Sequence, residues 1–581
     1  MSVAQSERVA DVVVVGSGAA GCVAALRAAG EGAEVLVLEA AAALGGTTAR
    51  SSGGYWIPNN SLMRARGIED PREDALRYMA ALSFPDSYDP DHETLGLQRL
   101  DYDLLAAFYD RGAESIDWLA ECGHLWTIEM IGFTGQPGDF PPYYELPELD
   151  RAPYGRHVGP AYDEAAVAAA GTAAIRAQGG LPPAVGGQGD GRELIRQLAA
   201  SMERAGIGVA LEHRVDGVLT ENGVVSGVSV STPDGPATIA ARRAVVFASG
   251  GFSANPELCA SHLRGPIYGT GAAPTCRGDF IAISAALDAQ IGNIGNAWWC
   301  QVPLEAALNE RIMDWLMFVP YGDSMVIVNR EGRRVVNEKA LYNDRGPAHF
   351  IGGEEQGFPN RILFMIYDDA IAQSELDWVT RWPIPLPAGE LSLRASGIDE
   401  RALVISGATL EDLAQNIRER LRSIADRTGS LDLDDGFAAT LAQTIATFNG
   451  YAADGVDPDF HRGEPRVQKD MSGPARPGND RNQTMFPLQE SGPYHCILLG
   501  AGTLETKVGP RIDPGGHVLR ADGTIIPRLY GAGNCVASPT ADAYWSGGAT
   551  LGPAIVFGYI AGENAAREPA RAPAVSAAAS A

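Results

Sequence analysis

The segment Ala10 to Val15, with four consecutive valines, runs directly into Gly16-Ser17-Gly18-Ala19-Ala20-Gly21, and this junction constrains the chain more than any other feature. A short run of valines reads as a strand buried on both faces of a sheet. An alanine-rich stretch to about Ala29 then takes up helical periodicity, and a second apolar run, Glu34 to Leu38, closes on Glu39. Strand, glycine turn, helix and strand make a βαβ unit, so the fold class is α/β with a parallel, Rossmann-like sheet. GxGxxG alone is weak evidence; following a strand, opening a helix and meeting an acid eighteen residues after Gly21, it is a strong dinucleotide fingerprint. Gly16 permits the tight turn, Gly18 lets backbone amides approach a pyrophosphate, and Gly21 lets helix and strand pack closely. The helix start, with Ala19 and Ala20, offers partial positive charge to phosphates, and Glu39 accepts hydrogen bonds from a ribose.

A second glycine and hydroxyl run, Gly45-Gly46-Thr47-Thr48 through Ser51-Ser52-Gly53-Gly54, follows the acid at once. It calls for a ligand longer than a nicotinamide dinucleotide needs, and FAD has that length. No histidine sits in this loop, so the flavin is expected to be non-covalent. The glycine pattern returns twice, in Ala244 to Gly251 and in Leu529 to Asn534, the latter leading into a helix to about Ala566. Residues from about 290 to 490 differ, with more Trp, Pro and polar loops. The chain therefore reads as a discontinuous FAD-binding domain, 1–290 and 491–566, with an α+β substrate and catalytic domain inserted at 291–490 and a low-complexity, disordered tail at 567–581. Between Ser52 and Pro160 the chain reads as loop-rich, with helical pieces such as Tyr102 to Cys122.

Composition removes several classes. With 45 basic and 72 acidic residues the net charge is −27, which excludes nucleic acid as a partner and leaves membrane contact peripheral at most. Seven scattered cysteines with no CxxC fit reduced thiols, and no apolar stretch approaches a bilayer span, so the protein is expected to be cytoplasmic. The nine histidines show no metal spacing, and no metal is expected. The acidic run Leu431 to Gly436 has leucines at calcium-ligand positions and reads as a solvated turn. The sequence names neither an electron acceptor nor an oligomeric state.

Over residues 10–565 the chain resembles the fumarate reductase/succinate dehydrogenase flavoproteins, and within them the 3-ketosteroid Δ1-dehydrogenases. The likeness rests on Gly16 to Gly21, Glu39, Gly45 to Thr48, Ser52 to Gly54, Trp56-Ile57-Pro58-Asn59-Asn60, Ser249-Gly250-Gly251-Phe252, Arg334 to Glu338, Phe448-Asn449, Thr506-Lys507, Gly531 to Asn534 and Tyr544 to Gly558. It extends the implied cofactor set to Val215, Ser249, Gly250, Asp279, Gly533, Asn534, Gly548, Thr550 and Leu551, beside Gly46, Thr47 and Thr48. Four residues after Glu338, where fumarate reductases carry a catalytic arginine, stands Tyr342, as in the ketosteroid branch. Glu505 replaces a carboxylate-binding histidine and is expected to repel a dicarboxylate. Glu505 and Val508 in place of glycines, Trp545 and Ser546 after Tyr544, and a longer 418–436 bear on substrate shape more than on chemistry.

The resemblance implies oxidation of two adjacent carbons beside a ketone in a small apolar ketosteroid. Such a reaction needs a polarised carbonyl, a base for the α-proton and a hydride acceptor. Tyr544 and the Gly548 amide are implied as carbonyl donors, Tyr342 as the base, and Tyr143 or Tyr144, with Tyr143 preferred, as its relay. Ene-reduction of the fumarate reductase type, with Arg345 in view, and attack at another ring position are the alternatives. Read without the resemblance, each tyrosine is half-buried packing, Lys507 packs near the flavin, and Trp298, Trp299 and Trp315 serve equally as cavity wall or core.

Overall fold

The computed structural model describes residues 8–130, 138–146, 153–163, 188–313, 322–372, 400–472 and 474–571. Trp315 and residues 572–581 lie outside them. The valine run forms strand Arg8–Val15, with Val12, Val13 and Val14 fully buried. It is flanked by Val35–Leu38 and Gly235–Phe247, and all three run parallel. Gly208–Ala210 extends the sheet beyond Val35–Leu38. Ile525–Gly531 joins Gly235–Phe247 from the other side, also in parallel.

Register explains why three distant glycine segments share one site. Val15 pairs with Leu38 and with Phe247, and Phe247 pairs with Gly531. The strands thus end side by side, and the turns after Val15, Phe247 and Gly531 emerge on one edge, where open α/β sheets bind ligands. Helix Ala19–Gly30 packs on the last helix, Leu551–Arg567. The contact is close because a side chain on Gly558 or Gly562 would fall 2.5 Å from the Ala20 carbonyl or 2.3 Å from that of Ala24.

A second sheet is built around the 13-residue strand Tyr494–Thr506, which pairs with Ala297–Pro303, Ile362–Asp368, Ile405–Gly407 and Gly269–Thr270. It therefore draws in strands on both sides of 291–490. Helices Leu410–Ser423 and Phe437–Asp454 bury the faces their periodicity predicts, Leu413, Ile417 and Leu421 on one and Phe437, Leu441, Ile445 and Phe448 on the other. The 431–436 run is more than a solvated turn. Leu431 and Leu433 anchor it in the core, and Arg418 and Arg330 pair with Asp432 and Asp434. The region after Ser52 is more helical than its composition suggests, with helices Arg72–Ser83 and Arg99–Glu121 and a small sheet pairing Tyr55–Trp56 and Thr127–Glu129 with His157–Pro160. All seven cysteines are free thiols. Among the described residues no helix is long and apolar enough to cross a membrane, and no His, Cys, Asp and Glu cluster could hold a metal.

Candidate active site

A cleft with about 840 Å³ of empty space opens along the edge where the parallel strands end. Gly16, Gly18, Ala19, Ala20, Glu39, Gly46, Thr47 and Thr48 line it from the first βαβ unit and its loop. Val215, Ser249, Gly250 and Asp279 line it from the middle of the chain, and Gly533, Asn534, Thr550 and Leu551 from the end. Gly21 lies behind the cleft, as the packing argument requires: a β-carbon there would sit 2.0 Å from the Gly16 carbonyl oxygen. Gly16 itself needs φ +100°, and its β-carbon would collide with the Ala248 carbonyl at 2.4 Å. The Ser17 amide and hydroxyl hold one Glu39 oxygen at 3.0 and 2.6 Å, and the Ala41 amide holds the other at 2.8 Å, so the carboxylate is oriented at the cleft wall.

These features fit FAD. Gly18 presents its bare α-carbon to the cleft, with only the Thr48 hydroxyl (3.4 Å) and the Gly45 carbonyl (3.8 Å) near the position of a side chain. The Thr48 hydroxyl accepts the Ala19 amide at 3.1 Å, tying the glycine loop to the helix start. Sequence reading missed His213, Arg214 and Cys276 on the wall. Arg214 pairs with Asp279 at 2.8 Å, and its position beside Val215 was the available signal.

Glu505 is not where a substrate-facing acid would be. Its carboxylate is buried, accepts the Ser253 and Thr506 amides at 3.1 and 2.9 Å, and lies within 3.4 Å of the Thr47 hydroxyl on the cofactor wall. It cannot act as a direct screen against dicarboxylates from that position. Ser52, Gly53 and Gly54 also do not line the cleft. Gly53 packs on the Asp190–Gly191 backbone and Gly54 on the His157 ring.

Beyond the cleft three phenols from remote segments converge. The Tyr143 and Tyr342 hydroxyls are 3.4 Å apart, and their ring centroids lie 5.8 and 5.4 Å from that of Tyr544. Tyr342 opens the short turn Tyr342–Arg345, while Tyr544 precedes the last helix. Burial raises the Tyr544 phenol, and the Tyr342 and Thr550 hydroxyls and the Gly548 amide nearby oppose that rise. Gly548 adopts φ +84°, and a β-carbon there would meet the Tyr55–Trp56 backbone at 2.7 Å. Burial pushes all three phenols above their usual range. Trp298 joins the two regions: its ring is 5.1 Å from Tyr544, and its indole N–H donates to Asn534 of the cleft at 3.1 Å. Tyr144 turns elsewhere and donates to Asp344 at 2.8 Å.

The FAD binding domain family model matches residues 11–551. The chain is 31% identical to the 3-oxosteroid 1-dehydrogenase of Mycobacterium tuberculosis, over 95% of this chain and 97% of that protein. It is 30% identical to the 4-oxocyclohexanecarboxylate 2-dehydrogenase of Sinomonas cyclohexanicum, over 96% and 93%. The crystal structure of the 3-ketosteroid Δ1-dehydrogenase of Sterolibacterium denitrificans matches with a TM-score of 0.75 at 24% identity, over 96% of this chain and 99% of that one. The chain belongs to the 3-ketosteroid dehydrogenase family of FAD-dependent oxidoreductases.

Of two further features of this family member, one escaped the sequence and the other was read there only as packing. His157 is buried between Gly54 and Gly547, with the Phe140 ring edge-on at 4.1 Å. Neither ring nitrogen has a hydrogen-bond partner among the described residues, and burial drops its pKa to about 3. Lys507 is fully buried over the Trp298 ring at 4.0 Å, donates to the Ala541 and Ala543 carbonyls at 3.0 and 2.5 Å, and is pushed down to about 7 by burial. Arg345 is buried too, with its guanidinium 3.4 Å from the Glu338 carbonyl.

Proposed function

We propose that the protein desaturates a 3-ketosteroid between the α- and β-carbons C2 and C1 beside the ring carbonyl, using a non-covalent FAD. The observation that carries this reading is the convergence of Tyr143, Tyr342 and Tyr544 with the Gly548 amide, joined through Trp298 to a cleft that fits the cofactor.

The Tyr544 hydroxyl and the Gly548 amide donate to the substrate carbonyl oxygen, which makes the neighbouring C2–H acidic. Gly548 can hold this position only as glycine, because its φ of +84° and the Tyr55–Trp56 backbone at 2.7 Å leave no room for a side chain. Tyr342 takes the C2 proton and passes it to Tyr143, whose hydroxyl is 3.4 Å away. Burial first, with Tyr143 and Tyr544 adding to it, disfavours a phenolate at Tyr342, and a dry tyrosine cluster suits a neutral, apolar substrate. Bound FAD supplies the acceptor for the C1 hydride, at its N5 atom. The pairing of Tyr144 with Asp344 leaves Tyr143 as the tyrosine in contact with the base.

Anaerobic mixing with a 3-ketosteroid tests this directly. Flavin absorbance should bleach, and the product should be two hydrogens lighter, with the new double bond at C1–C2 by NMR. An unbleached flavin sinks the reading, and a double bond elsewhere moves the substrate's pose.

A further inference from the structure

Asp344 is the one exposed member of the turn Tyr342–Arg345; Tyr342, Asn343 and Arg345 are buried. Its Oδ1 accepts the Tyr144 hydroxyl at 2.8 Å. Protein still crowds it closely, for burial is the largest cause raising its carboxyl to about 6, against the opposing pull of Tyr144, Arg345 and Lys507. The carboxylate thus stands on exposed surface where the segments carrying Tyr143 and Tyr342 meet.

That surface adjoins the tyrosines. Tyr144 follows Tyr143, Asp344 stands two residues past Tyr342, and Lys507, close enough to act on Asp344, lies over the ring of Trp298, which touches Tyr544. The nearby cations are withdrawn from it. Lys507 is 0%, Arg345 1% and Lys339, which lines a small pocket with Tyr342, 8% exposed, and Lys507 spends its ammonium on two backbone carbonyls. Arg264, further out, is paired with Asp542 at 3.1 Å. The accessible charge beside the tyrosines is therefore negative, in a chain whose net charge is already −27.

We propose that Asp344 is a charge filter of the substrate site: it admits neutral cyclic ketones and turns away ring ketones that carry a carboxylate. This rests on the reading of the tyrosine cluster as the substrate site and deepens it. Two relatives of nearly equal identity are named for an oxosteroid and for an oxocyclohexanecarboxylate, whose carboxylate gives their substrates different charge as well as different size. A fixed carboxylate that opposes a second one discriminates by repulsion.

The test uses the full-length, FAD-loaded protein with 4-oxocyclohexanecarboxylate and its neutral carboxamide, their dissociation constants measured by equilibrium dialysis at pH 7.5. The wild type should prefer the carboxamide by about tenfold or more, and Asp344→Asn should bring the ratio within about threefold. Asp344→Glu, which keeps the charge, should keep the preference and guards against a merely misfolded Asn variant. At pH 5 the wild-type ratio should fall toward that of Asp344→Asn, whose own ratio should not move. A wild-type ratio near one, no binding of the carboxamide, or an Asn variant with the wild-type ratio overturns the filter. Bleaching by a 3-ketosteroid is scored separately: its failure with these ratios intact sinks the proposed reaction and leaves the filter standing.

Discussion

The cofactor cleft and the tyrosine cluster meet at Trp298 but are held together by different physics. The cleft is backbone work. Gly16 and Gly21 stand where any β-carbon would lie 2.0 to 2.4 Å from main-chain atoms, so their geometry tolerates no substitution. The cluster is side-chain work, three rings in mutual contact with the Tyr143 and Tyr342 hydroxyls turned together. Removing an oxygen there leaves the packing intact. Chemistry and cofactor retention should therefore come apart on mutation.

The largest expected effect falls on the cluster. Tyr342→Phe and Tyr544→Phe should each lower turnover by roughly 10²- to 10⁴-fold while the flavin-to-protein absorbance ratio stays at the wild-type value. Loss of flavin in either variant would mean that the two regions are not separable. The converse is Gly18→Val, which should weaken FAD binding by roughly a hundredfold with far-UV circular dichroism unchanged, because the added branch enters the space the cofactor needs. Retention of full flavin content in that variant would place the cofactor elsewhere.

The same contrast governs what could be read from the sequence. The first βαβ unit was legible because it is local and its glycines have a conformational reason to be there; eight expected residues from Gly16 to Thr48 line the cleft, and the eight from later segments that line it were implied by family likeness. The tyrosines are separated by about 200 residues each, so no spacing reveals their meeting, and family likeness supplied it. Tyr143 and Tyr144 are neighbours of identical chemistry, and only the conformation of the 138–146 segment decides which one faces Tyr342 and which one Asp344. Glu505 was misplaced because a strand residue next to the Thr506-Lys507 motif can face either side, and here backbone amides draw it behind the cofactor wall. His157 gave no signal, since its pocket exists only once Gly54 and Gly547 face each other.

His157 sits on the seam between the regions and offers a smaller test. Its folded pKa of about 3 is below the usual 6.5, so the unfolded chain binds the extra proton between those values, and native stability drains away as pH falls through that window. His157→Phe removes the titration and the two unpartnered nitrogens. Its melting temperature relative to wild type should rise steadily from pH 7 to pH 4.5; a difference that stays flat would show that the imidazole is partnered.

Lys507 gives the smallest effect and the finest view of the junction. Its folded pKa of about 7 against 10.5 unfolded means that it costs stability at and below neutrality, and that this cost disappears as pH rises through the window. Lys507→Met should keep the contact with Trp298 but leave the Ala541 and Ala543 carbonyls without their donor, so the two effects oppose each other. The variant's melting temperature relative to wild type should therefore be most favourable near pH 6 and should decline by about a degree or two by pH 10. A relative stability independent of pH would mean that Lys507 stays charged over Trp298, in which case the junction between cleft and cluster is an electrostatic clamp rather than a dry contact.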